Sequence, residues 1–245
     1  MRRVAALSAM VGGACGVAAN ASLLGYYALA RPWQPGHDGP YEWLGPANDL
    51  IGSLSMAALI PVIGYVRRRV PDDRLLGVLS AAGVVASAGL AAGGPLLVGG
   101  VITLETQFVV AGVGLPVIFG WLWRASRAAR RTGVLPPRTA RFGEIVGMTA
   151  LAATGLAAIG AVLPAGSAAQ YVVLGLAAVP GLPAYLAFPV WEILAGRAWW
   201  RETRGRDLYG LADVWRAVTQ AAGSTCGPAR CNRRIATPSP SARPR

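Results

Sequence analysis

The sequence predicts an all-α fold: a polytopic transmembrane bundle of six spans with both termini cytoplasmic, followed by an amphipathic helix and a disordered tail. Three observations lead there. Hydrophobic residues make up 54% of the 245 and charged residues 14%, whereas about a quarter of a soluble domain is charged. All 23 basic residues are Arg, and they fall in clusters. Between the clusters at 67–74 and 124–131 lie the 49 residues 75–123, with no basic residue and a single acid, Glu105. About 20 apolar residues at ~1.5 Å each cross a ~30 Å hydrocarbon core, so this stretch makes two crossings and a turn.

Each element then follows in order. The first span is expected over 4–30. Ala19-Asn20-Ala21 resembles a signal-peptide cleavage site, but apolar sequence runs on past it, which favours an uncut helix. Residues 31–47 form the longest outer loop, with four prolines, Trp33, Trp43, His37 and Glu42. The second span is 48–66, with Asn48 as its cap, Asp49 in its first turn and Pro61 as a kink. The third is 75–92, ended by a turn at Gly93-Gly94-Pro95. The fourth is 103–123, with Pro116 as a hinge. An Arg-rich loop of 124–141 precedes the fifth span at 142–163. The sixth, 171–194, carries Pro180, Pro183 and Pro189, which predict a bent or broken helix. Residues 1–196 are thus the bundle. Residues 197–222 are a juxtamembrane segment whose Leu208, Leu211, Trp215 and Val218 share one helical face, as in a helix lying on a membrane surface. Residues 223–245 read as a disordered basic tail.

Orientation comes from charge. With the N-terminus inside, the inner segments hold 2, 4, 6 and 10 arginines in order, and the outer segments hold only Arg31. This asymmetry is the positive-inside pattern. It places the arginines against anionic lipid rather than nucleic acid. All eight tryptophans fall near predicted span ends, as an aromatic belt would. The lack of Lys beside abundant Ala, Gly, Arg and Pro suggests a GC-rich bacterial genome, hence a bacterial plasma (inner) membrane. Over residues 4–201 the chain resembles, in topology and composition, the many uncharacterised six-span integral membrane proteins of GC-rich bacteria. Its most distinctive stretch is Tyr41-Glu42-Trp43-Leu44-Gly45-Pro46. The resemblance carries over no functional residue.

Four constellations are candidates for chemistry. Asp49, Glu105 and Gln107, with Gln170 nearby, lie at outer helix ends, and the loop could bring His37 and Glu42 over them. Such a cluster could bind a cation or a proton; the plainer reading is interfacial carboxylates favoured by helix N-termini. Glu144 and Glu192 near inner ends could form a gate, or simply pair with Arg141 and Arg197. Asn20, Ser53 and Ser55 are intramembrane polar groups expected to hydrogen-bond across helices. Gly12-x-x-x-Gly16, Gly83-x-x-x-Ser87 and Gly143-x-x-x-Gly147 allow close helix approach.

Exclusions are firmer. A single histidine, His37, leaves no Ser–His pair for a rhomboid-type protease, no two-His set for a lipid phosphatase and no bis-histidine haem. Cys226 and Cys231 make half a zinc site at most. No P-loop is present. No cofactor or metal site is expected. The leading expectation is a small transporter or the membrane subunit of a larger complex with a partner subunit. Alternatives are a regulatory scaffold working through the basic loops and tail, and a carboxylate-based enzyme.

Overall fold

A computed structural model describes the backbone of residues 1–30 and 39–224 and the side chains of residues 1–30 and 39–203. Among the described residues every regular element is helical: α1 (Arg2–Gly25) with a π-helical continuation (Tyr26–Ala30), α2 (Leu44–Arg69), α3 (Arg74–Val98), α4 (Leu104–Thr132), α5 (Pro137–Ala161) and α6 (Ala168–Ser224). Six helices are long and apolar enough to cross a membrane; the share of α6 so qualified is Ala168–Thr203. The chain is a multi-pass membrane protein by that measure. Met1–Thr203 forms one compact unit and Arg204–Arg245 another. In the second the backbone is helical to Ser224. The amphipathic face expected at 207–222 and the tail expected at 223–245 lie outside the described side chains and residues, as do His37 and both C-terminal cysteines.

Within the first unit α1 packs on α2, α2 on α3, α3 on α4 and α4 on α5. Helix α6 closes the ring. Pro189 and Ile193 press on Gly13 of α1, and Gly196 meets the α1 backbone at Ala6. On the other side, Trp191 packs over Gly143 of α5. An even number of crossings puts Met1 and Thr203 at the same end, here the Arg-rich end. That end also carries the loops after α2 and α4.

The interior is not uniform along its length. Toward the Arg-rich end it is filled by aromatics. Trp121 meets Trp191 at 6.1 Å, Tyr65 meets Trp199 at 4.9 Å and Phe119 meets Phe188 at 5.8 Å, all edge-to-face. Trp199 donates its Nε1–H to the Val134 carbonyl at 3.0 Å. Toward the Arg-poor end the packing thins: α4 buries nothing before Gly114, and α6 before Ala184 buries only Ala177.

Several expectations are corrected. Trp121, Trp191 and Trp199 are fully buried and do not join an interfacial belt, because depth along the axis does not determine which way a side chain faces. Gly93-Gly94-Pro95 is not a turn. Helix α3 runs through it to Val98, and the reversal comes at Gly99–Thr103, with Gly100 at φ 69°. Gly94 is needed for contact instead: a Cβ there would collide with Ser53 Oγ and the Asp49 carbonyl of α2. Helix α2 begins at Leu44, so Asn48 does not cap it and Asp49 lies in its second turn. The Arg-rich loop after α4 shrinks to Gly133–Pro136, because Arg is a good helix former and Arg124, Arg127, Arg130 and Arg131 extend α4. Gly133 at φ 68° ends that helix and Pro137 opens α5. Helix α6 is not broken at Pro180 or Pro183, and Pro61 and Pro116 likewise lie inside α2 and α4, which continue past them.

One cap ties the α2–α3 turn to α4. Asp73 accepts the Leu76 amide at 2.9 Å, and Arg124 reaches its second oxygen at 2.8 Å. Burial alone would raise this carboxyl, but the Leu76 amide and the Arg124 guanidinium outweigh it and hold the pKa below the ordinary value. A lowered native pKa stabilises the fold above the unfolded value of about 4, and that contribution is lost as pH falls through the native value. Asp73→Ala therefore costs about 1 kcal/mol at pH 7. Chemical denaturation at pH 7 and then below 4 should show the gap to wild type closing in acid.

Candidate functional site

At the Arg-poor end, α2, α3, α4 and α6 leave a chamber of about 130 Å3. Its polar lining is Asn48, Asp49, Ser53, Gln107 and Tyr185, and its apolar walls include Met56, Leu90 and Leu115. An engineered protein cavity of ~150 Å3 admits benzene, so the space suits a small organic group.

Each polar side chain is placed by a local device. Ser53 is buried and donates to the Asp49 carbonyl at 2.8 Å, the back-bond common for Ser in apolar helices. It also reaches the Leu90 carbonyl of α3 at 3.5 Å. Asn48 donates its Nδ2–H to Asp49 Oδ1 at 3.1 Å. Gln107 lies against Gly93, where any side chain would collide with it, and its buried Oε1 has no hydrogen-bond partner among the described residues. Tyr185 enters from α6. The lining thus offers a carboxylate, an unused amide oxygen and a phenol, and contains no basic residue. Such a set complements a positive charge bearing N–H donors. Among the described residues no three His, Cys, Asp or Glu side chains cluster together.

The expected outer cluster is therefore split. Asp49 and Gln107 come together. Glu105 is exposed in the first turn of α4, behind the Thr103 cap, where the positive helix end accounts for it. Asp49 lies deeper in its helix, beyond the first turn where that effect acts. Glu42 lies in the exposed turn before α2, and His37 falls outside the described residues. Gln170 accepts the Gly166 amide at 2.8 Å and orders the α5–α6 loop. Asn48 and Tyr185 join the site only through the fold. Asn48 looked like a cap, and nothing local marks Tyr185.

The inner pair also separates. Glu144 binds Arg130 of α4 through two hydrogen bonds, at 2.8 and 3.0 Å, rather than Arg141. Glu192 is fully buried, and neither carboxyl oxygen has a hydrogen-bond partner among the described residues. Arg197 is exposed. Glu192 is also deeper than an inner end. It faces Gly12, whose Cβ would lie 3.4 Å from Oε1. Gly12 is about 15 Å along α1 from Arg2 at ~1.5 Å per residue. Buried Ser55 lines the same seam with its hydroxyl unpaired. Asn20 is buried as well, but its side chain makes no cross-helix hydrogen bond among the described residues.

No protein-family model, curated protein or solved structure matches the chain.

Proposed function

We propose that this is a bacterial plasma-membrane protein that binds a small organic cation in the Asp49 chamber from the Arg-poor side, as a transporter or the solute-binding subunit of one. The Arg-rich end, with Met1 and Thr203, faces the cytoplasm by the positive-inside pattern. The observation that supports the reading is the unbalanced chamber: Asp49 and Gln107 line it together, Gln107 Oε1 has no hydrogen-bond partner among the described residues, and no basic side chain is in the lining. Uncompensated ionisable groups within spans mark substrate and ion paths. The aromatic plug beside it fits a carrier closed toward one face and looser toward the other.

Ethylammonium is a suitable probe, small enough for the chamber and bearing three N–H donors. Thermal melting of the purified protein in nanodiscs should rise with ethylammonium concentration, because a ligand that binds the native state stabilises it by mass action. The rise should vanish in Asp49→Asn and shrink in Gln107→Leu. An equal rise in wild type and Asp49→Asn, or none in wild type, contradicts the reading.

A further inference from the structure

We infer that the preferred ligand is a membrane-partitioned amine whose apolar tail lies in a second cleft and reaches the chamber sideways through the bilayer. This rests on the cation-binding reading and adds the ligand's other half. Between α4, α5 and α6 runs a cleft of about 430 Å3, within the range of sites for drug-sized molecules. It shares Leu115 and Tyr185 with the chamber. The two spaces therefore meet at one wall, with the Tyr185 phenol between a polar and an apolar compartment.

The cleft's chemistry is opposite to the chamber's. Apart from Thr154 and the Tyr185 hydroxyl its lining is Ala, Gly, Leu and Phe, and it holds no charged side chain. Thr154 donates its hydroxyl to the Ala150 carbonyl, so it presents no unmet polar demand. Two linings, Leu174 at 38% and Leu182 at 51%, are exposed on the outer surface of the bundle. In a spanning helix that surface meets lipid tails, which opens the cleft to the hydrocarbon.

Lipid alone could fill an apolar cleft. The shared wall at Leu115 and Tyr185, with Asp49 on its chamber side, makes the difference. A neutral chain gains nothing in the cleft that it lacks in the bilayer, because lipid tails are as apolar as Leu. An amine-headed chain gains the carboxylate while its tail stays in an apolar phase. Occupancy of the cleft should thus depend on a positive head and on a carboxylate in the adjoining chamber.

The test uses two photoreactive probes in proteoliposomes of the full chain: a dodecylamine with a diazirine in mid-chain, and the matching dodecanol. Adducts are mapped by mass spectrometry. The amine should label α5 and α6 around Ala157, Leu174 and Leu182 at least tenfold more than the alcohol. Excess unlabelled dodecylamine should compete it away, and Asp49→Asn should bring it down to the alcohol's level. Ala178→Trp provides a second variant. Ala178 is an exposed cleft residue, so the indole fills the space without entering the core. Cleft labelling should fall there while the melting shift with ethylammonium persists.

Equal labelling by amine and alcohol, or labelling indifferent to Asp49→Asn, overturns the inference and leaves a cleft filled by lipid. If that occurs while ethylammonium still raises the melting point in an Asp49-dependent way, the chamber reading stands and the sideways route falls. If ethylammonium binding is itself absent, both fall.

Discussion

Glu192→Met is expected to make the protein more stable, by about 2 kcal/mol, measured as denaturation of purified protein in mixed micelles. The carboxyl is fully buried between α6 and the Gly12 face of α1, and no donor among the described residues reaches either oxygen. A buried polar group left unsatisfied costs about 1–3 kcal/mol, and replacement by an apolar group of similar shape removes that cost. Met keeps the length and the unbranched form. If Glu192 were instead held by Arg197, removing it would destabilise, and Arg197→Met would destabilise equally. The structure predicts no change for Arg197→Met, since that side chain is exposed. A conserved fold with a raised melting point but a smaller melting shift with ethylammonium would show that the carboxyl is kept for function at the expense of stability.

Gly13→Leu acts in the opposite direction. A Cβ on Gly13 would lie 2.5 Å from the Pro189 carbonyl and 3.0 Å from the Ile193 amide. Both are backbone atoms, so no rotamer change relieves the clash and α6 must move off α1. Overpacking usually costs about 1–3 kcal/mol, and a clash with backbone belongs at the upper end. The same seam holds Gly16, with Pro189 Cγ 2.7 Å from its would-be Cβ, and Gly196, with the Ala6 carbonyl at 2.7 Å. Failure here should therefore separate α6 from α1 along its length. Gly155→Ala is the control: nothing lies within 4 Å of its added methyl, and the change should be neutral or slightly stabilising. Size-exclusion profiles and melting curves of the two variants check the pair. A Gly13→Leu protein as stable as wild type would mean that α1 and α6 do not pack as described.

The spans were legible because charge marks them. Arginine clusters and the apolar, Arg-free stretches between them fix six helices without knowledge of packing. Facing was not legible, because it depends on how distant helices meet. Glu192 and Arg197 are close in sequence, yet five residues turn a helix by about 500°, placing them on different faces at ~3.6 residues per turn. Gly93-Gly94-Pro95 resembles a turn because those residues break soluble helices. Within a bundle they remain helical, and the glycines serve close approach to Gln107 and Ser53. Asp49 and Gln107 could be named from their positions near helix ends. Tyr185 could not, since only the closure of α6 across the ring brings it to them. Glu105 reads as equivalent to Asp49 in the sequence, but it lies in the first turn of α4 and is exposed, whereas Asp49 lies a turn deeper in α2.

The most direct measurement is charge movement on a solid-supported membrane. Proteoliposomes bearing wild-type protein are given a jump in ethylammonium concentration and the capacitive current is recorded. A cation entering a chamber that holds an unneutralised Asp49 should give a saturable transient, reduced by competing dodecylamine and absent in Asp49→Asn at equal protein density. A transient of the same size in Asp49→Asn, or none in correctly inserted wild-type protein, would contradict a cation site at Asp49.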